Sequence, residues 1–111
     1  MFALEWCEFC WAARKFFRAL GIAYRSVDLD SAALQKDGWG AQIRAALTSR
    51  TGIAIIPQIF IGGQLVGGCT DLFQAFESGQ LARVLEAAGV RCTVPAGFAP
   101  RSLLPGWIHP R

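Results

Sequence analysis

The spacing of apolar residues changes several times along the chain. Phe2, Ala3 and Leu4 form a short apolar run that predicts a strand. From Glu8 to Leu20 the apolar positions Cys10, Ala13, Phe16, Phe17 and Leu20 recur at three- and four-residue intervals, which predicts a helix, with Gly21 as its C′ residue. Tyr24 to Leu29 reads as a second strand. Asp28-Leu29-Asp30-Ser31 supplies helix N-cap chemistry, so a helical region is expected over 31–50. Gly38-Trp39-Gly40 should break it, leaving a better helix from Ala41 to Ser49. Ile53 to Ile61 is apolar and β-branched, with Pro57 inside it; proline belongs at a strand start or edge, so the strand should begin near Pro57. Gly62-Gly63 turns the chain into Gln64-Leu65-Val66, a hairpin. After Gly67-Gly68, Thr70 or Asp71 should cap a helix carrying Leu72, Phe73 and Phe76. Gly79 breaks it, and Leu81, Val84, Leu85 and Ala88 mark a last helix ending at Gly89. This order predicts an α/β domain: a mixed sheet with helices on both faces.

From Val90 the composition shifts. Prolines fall at 95, 100, 105 and 110, yet Phe98, Leu103, Leu104, Trp107 and Ile108 are too apolar for a free linker. The expected division is a domain over 1–89 and a Pro-rich C-terminal extension over 90–111. The extension should lack regular secondary structure and pack on the domain or on a partner. The 111 residues suffice for one domain and one core. Although 53% of residues are apolar, no run approaches the ~18–20 needed to cross a bilayer, and no basic segment precedes an apolar one at the start. Neither a leader nor a membrane partner is expected. The net charge is +3, with basic residues scattered except for Arg14, Lys15 and Arg18 on one helix. That cluster reads as a solvated face, and no nucleic-acid partner is expected.

The four cysteines, 7, 10, 69 and 92, form one close pair and two single residues. A small secreted scaffold would carry a denser, more even set, so a reducing, cytoplasmic setting is expected. In Cys7-Glu8-Phe9-Cys10 the first cysteine stands at a predicted helix start. Backbone N–H groups there stabilise a thiolate, and two cysteines three apart can close a reversible disulfide. Cys7 is the expected nucleophile and Cys10 its resolving partner. Glu8 places a second negative charge beside that thiolate. A zinc site would need two more ligands, and His109, the only histidine, lies in the extension, so no metal and no Cys–His couple are expected.

The motif Cys7-Glu8-Phe9-Cys10, together with Ile56-Pro57-Gln58-Ile59-Phe60-Ile61-Gly62-Gly63 and Gly67-Gly68-Cys69-Thr70-Asp71-Leu72, resembles the glutaredoxins, a branch of the thioredoxin-like fold. The likeness covers about residues 2–89. It implies a four-stranded mixed sheet and glutathione-dependent reduction of disulfides, with glutathione and disulfide-containing proteins as partners. It implies a cis peptide before Pro57, with the Ile56 backbone paired to the cysteine of glutathione. Thr70 and Asp71 match the site that grips the γ-glutamyl end, where helix N-terminal N–H groups suit a carboxylate. By the same likeness Phe9, Gly68 and Cys69 adjoin the ligand, and Arg44 reaches its glycine carboxylate.

The chain also departs from the family pattern. The usual lysine three residues before the first cysteine is Leu4, and the usual cationic or polar pair before the proline is Ala54-Ile55. Within the motif, the usual proline and tyrosine are Glu8 and Phe9. Two other readings therefore stand beside the glutathione-dependent monomer. One is a dimer in which Cys7 of each subunit and two glutathiones hold a [2Fe–2S] cluster. The other is an electron donor reduced by a thioredoxin-type reductase.

Overall fold

The computed structural model describes residues 1–104. Expectations for Trp107, Ile108, His109, Pro105 and Pro110 fall outside the described residues. The elements run β1 (Phe2–Ala3), α1 (Glu8–Ala19), β2 (Val27–Asp28), α2 (Ala32–Gln35), α3 (Trp39–Thr51), β3 (Ile59–Ile61), β4 (Gln64–Gly67), α4 (Cys69–Glu77) and α5 (Gln80–Ala87). This is the expected order of strands and helices.

The sheet is smaller than expected. β1 pairs with β2 in parallel, Phe2 with Val27 and Ala3 with Asp28, and β3 pairs with β4 antiparallel. A single antiparallel bridge, Phe2 to Gln58, links the two ladders, with N–H···O distances of 2.8 and 2.9 Å. The continuous four-stranded sheet is therefore replaced by two short ladders, and local chemistry explains why. Leu4 cannot extend β1, because its N–H points at the Cys10 sulfur and its carbonyl accepts from Arg14 Nη2. The bridge cannot run on either, because Pro57 would face Ala3 at a non-hydrogen-bonded position and the next bonded partner would be Leu4, whose N–H and carbonyl are already engaged. The strand expected over Tyr24–Leu29 accordingly contracts to Val27–Asp28.

The helical break also moves. It falls at Asp37 and Gly38, whose φ values are 60° and 69°, across a 3-10 turn at Lys36–Gly38. Trp39 and Gly40 belong to α3. Gly40 is there for close approach rather than flexibility: a Cβ on it would collide with the Leu29 carbonyl oxygen. The cap of α4 is Gly68, not Thr70 or Asp71. Asp71, at the third helical position, still accepts a hydrogen bond from the Gly68 N–H at 2.9 Å, which is half of a capping box because Gly68 has no side chain to reciprocate.

The core is built where α1 meets α4 and α5. Ala12, Ala13, Phe16, Phe17 and Leu20 pack with Ile59, Leu72, Phe73, Leu81 and Leu85. Phe16 is the hub, with ring centroids 5.5 Å from Phe73 and Phe76. The extension joins this core. Phe98 lies 5.7 Å from Phe16 and 5.5 Å from Phe76, Pro100 is buried, and the Thr93 N–H bonds the Leu20 carbonyl. Arg101 grips Glu77 through Nε and Nη2 at 3.2 and 3.0 Å. Within the described part of the extension these contacts seat residues 93–101 on the domain, and Pro100–Leu103 forms a 3-10 turn. Proline at the first helical position presets the backbone for it.

Candidate active site

Cys7 is the N-cap of α1, with extended backbone angles of −141° and 124°. Its carbonyl accepts the Trp11 N–H at 2.9 Å, starting the helix. The sequence places the two sulfurs in unlike surroundings. Cys10 shares the face of Ala13 and Phe17 and is fully buried, whereas Cys7, just outside the helix, is half-buried. The Leu4 N–H approaches Cys10 Sγ at 3.4 Å. Burial is the main force pushing the Cys10 thiol up to about 12. A hydrogen bond to Cys7 and the charge of Cys7 act in the same sense, while the Leu4 N–H and Arg14 oppose it. Near neutral pH Cys10 is a thiol, able to share its proton with the Cys7 sulfur. All four cysteines are free.

A groove of about 280 Å³ opens beside the first turn of α1, walled by Phe9, Ile55, Ile56, Pro57, Cys69 and Thr70. The Ile56–Pro57 peptide is cis. Gln58 supports this wall from behind: it is buried, and its Nε2 donates to the carbonyls of Ile53 and Ile55 at 3.1 and 3.4 Å. At the far end, Gly67 and Gly68 are closely packed by neighbouring groups. Gly67 has φ +120°, and a Cβ on it would run into the Asp71 carboxylate; a Cβ on Gly68 would lie 3.0 Å from Ile55 Cγ2 and 3.5 Å from the Pro57 oxygen. Glycine at 68 thus leaves room for α4 to approach the Pro57 loop, and glycine at 67 suits its positive φ. Cys69 opens α4 beneath the groove. Burial pushes its thiol up to about 12, the charge of Cys7 adds to this, and Arg101 of the extension opposes it.

Cys7 borders a separate hollow of about 100 Å³, shared with Trp6, Glu8 and Trp11. A roomier hollow, about 430 Å³ between β4 and helices α4 and α5, includes no cysteine among its walls. Size does not identify the reactive site here; the nucleophile does.

The structure brings Phe9, Ile56, Pro57, Cys69 and Thr70 together around one groove, with Cys7 and Cys10 at the first turn of α1 and Gly68 against Ile55 and Pro57, whereas the Asp71 carboxylate turns back to the Gly68 N–H and lines the hollow between β4, α4 and α5. Arg44 stands on the exposed face of α3 and is not a wall of the groove. Sequence reasoning treated Ile55 only as a missing polar contact, whereas it is a groove wall that is 55% exposed. It also passed over Trp6 and Trp11, although tryptophans flanking a reactive cysteine pair are a visible signal. Among the described residues, no group of three or more His, Cys, Asp or Glu side chains could hold a metal ion, and no helix is long and apolar enough to cross a membrane.

Comparison with known proteins agrees with this geometry. A family model described as Glutaredoxin matches residues 1–66. Glutaredoxin-C4 of Arabidopsis thaliana is 37% identical over 89 residues, 80% of this chain and 62% of the plant protein's length. A glutaredoxin of Ricinus communis is 34% identical over 89 residues, covering 80% of this chain and 82% of its own. The structure of a buckwheat glutaredoxin–glutathione complex superposes with a TM-score of 0.73 at 32% identity, over 81% of this chain and 77% of the buckwheat chain. With its paired cysteines at the head of α1 and a groove between the Pro57 loop and α4, the chain belongs to the glutaredoxin family, with a thioredoxin-like fold and a redox role.

Proposed function

We propose that the chain is a glutathione-dependent thiol–disulfide oxidoreductase with Cys7 as the nucleophile. The observation that carries this is the contrast between a half-buried Cys7 and a fully buried, protonated Cys10 beside a tripeptide-sized groove. The similarity to a glutaredoxin described as a glutathione complex supports glutathione as the groove's occupant.

In the proposed cycle the Cys7 thiolate attacks the glutathione sulfur of a mixed disulfide. The old S–S bond breaks, the substrate leaves as a thiolate that takes up a proton, and Cys7 carries glutathione. A second glutathione thiolate attacks that bond, releasing oxidised glutathione and restoring Cys7. In the second route Cys10 gives up its proton and attacks Cys7, closing the internal disulfide. Exchange rates depend on the thiolate fraction and intrinsic nucleophilicity of the attacking sulfur and on the leaving thiol's pKa, so Cys7 is favoured to begin and Cys10 to follow. Phe9, Ile56, Pro57, Gly68, Cys69, Thr70 and Asp71 would line the bound tripeptide. The N-terminus of α4 would face its γ-glutamyl carboxylate. Arg44→Ala tests the remaining assignment, because a raised KM for glutathione would add Arg44 to the set.

The deciding experiment is glutathione-driven reduction of hydroxyethyl disulfide by the wild type, Cys7→Ser and Cys10→Ser. Activity that depends on Cys7 and survives loss of Cys10 is expected. Reduction only by a thioredoxin-type reductase, or a brown anaerobic preparation that bleaches when glutathione is removed, would replace this reading with one of the other two raised by the sequence.

A further inference from the structure

Trp6 is 81% exposed and Trp11 is 45% exposed, the ring centroids stand 6.1 Å apart with planes tilted by 50°, and Cys7 lines the same hollow as both. Such exposure on a mobile loop would mean little, but this loop is held at several points. The Glu5 N–H donates to Asp30 Oδ1 at 2.7 Å, and the Glu5 carbonyl accepts from Trp11 Nε1 at 2.7 Å. Arg14 Nη2 ties the Leu4 carbonyl at 3.1 Å and Asp28 Oδ1 at 2.9 Å. The Trp11 indole and the backbone that carries Trp6 are therefore held in place, Glu8 lines the hollow with them, and the Asp30 carboxylate is tied to the same loop through the Glu5 N–H. Lys15 lies a helical turn beyond Trp11, farther from Cys7. Arg14, the other cation near the loop, is already paired.

We propose that this hollow is a substrate subsite that receives an Arg or Lys side chain standing next to the disulfide cysteine of a polypeptide substrate. The proposal rests on the glutathione-dependent reading above and adds the substrate's chemistry to it. Indole faces attract cations through the ring quadrupole, and arginine stacks on them especially well. The surrounding carboxylates add charge of the right sign and would repel an acidic neighbour. The geometry also suits the order of events. Attack by Cys7 on the glutathione sulfur leaves the departing polypeptide sulfur outermost, in line with the other two, so a long side chain on the residue beside it is what can reach back to the hollow at Cys7. Trp6 and Trp11 act there as specificity-determining residues and take no part in the bond exchange.

The test uses three synthetic peptides, identical except for Arg, Ala or Glu beside a cysteine held in a mixed disulfide with glutathione. The kcat/KM for release of the peptide thiol is measured with excess glutathione at low and high salt, on the full chain. Wild type should favour Arg over Ala by about threefold to fivefold, the size of an exposed cation–π contact. It should favour Ala over Glu by a factor that shrinks as salt screens the carboxylates. Within Trp6→Ala and Trp11→Ala the Arg-to-Ala ratio should fall toward one, and Glu8→Gln should narrow the Ala-to-Glu gap. Because each ratio is taken within one variant, a general loss of activity or stability cancels. Equal turnover of the three peptides by wild type, or an Arg preference that survives both tryptophan substitutions, would overturn the proposal. Failure to release any peptide, or to turn over the small mixed disulfide of glutathione and hydroxyethanethiol, would instead overturn the glutathione-dependent reading.

Discussion

Replacing Cys10 with serine removes the second sulfur while leaving Cys7 and the groove in place. The cost can be worked from the buried thiol. Held up to about 12, it is five pH units above neutrality, so about one Cys10 in 10⁵ is ionised at pH 7, against ~3% of an ordinary thiol near 8.5. The more basic thiolate is intrinsically more nucleophilic, which recovers a factor of ~25–55 over this gap. The net result is a sulfur about a hundredfold slower than a free one. Conversion of Cys7 to a mixed disulfide removes the charge of Cys7 from the balance but not burial, the larger cause. Cys10 is thus a poor attacking sulfur even after Cys7 carries glutathione, and release by a second glutathione is expected to proceed without it. In a stopped-flow assay of peptide-thiol release at pH 7, Cys10→Ser should keep kcat/KM within about threefold of wild type, whereas Cys7→Ser should lose turnover. A loss beyond tenfold in a Cys10→Ser protein with wild-type circular dichroism would show that the internal disulfide is obligatory and that the buried thiol ionises far more readily than its surroundings imply.

Other outcomes are expected from the same packing. Cys10 and Cys69 both titrate near 12 when folded and lower when unfolded, so folding favours their protonated forms. The stability they add is complete below about pH 8.5 and falls as pH rises toward 12, by at most ~1.4 kcal/mol per pH unit for each thiol, measurable as a denaturant midpoint. Gly67→Ala forces a side chain into a φ of +120° and against Asp71, and should lower stability by about 2 kcal/mol in thermal melts. Phe98→Ala removes a half-buried ring from Phe16 and Phe76, and should cost about 2 kcal/mol, below the 3–5 of a fully buried phenylalanine. Arg101→Ala breaks an ion pair whose partners are 46% and 43% exposed, and should shift the midpoint by less than ~1 kcal/mol.

What the sequence made readable was whatever depends on local pattern or on a compact motif. The periodicity from Cys10 to Leu20 located α1, and the turn residues Gly62-Gly63 located the hairpin. Cys7, Pro57 and Thr70 pointed to one site because their motifs are short and ordered. Interactions reaching across the chain were not readable. β1 stops because Leu4 is engaged by Cys10 and Arg14, and nothing in the run Phe2-Ala3-Leu4 announces that. Gly40 looked like a breaker because glycine has two uses, flexibility and close approach, and only the position of Leu29 reveals which applies. The 3-10 turn at Pro100 and the seat of Phe98 depend on Phe16 and Phe76, far away in sequence. Ile55 was judged by the contact it fails to make, although its position gives it another as a wall.

The seating of Phe98 also bears on where this protein can be cut. The family likeness read from the sequence motifs ends near Gly89, which would be the natural place to trim an expression clone. A chain ended there would leave two phenylalanine edges, on α1 and α4, facing water without their third ring. The trimmed product should be sticky and prone to self-association, so the boundary drawn by ancestry lies inside the boundary drawn by burial.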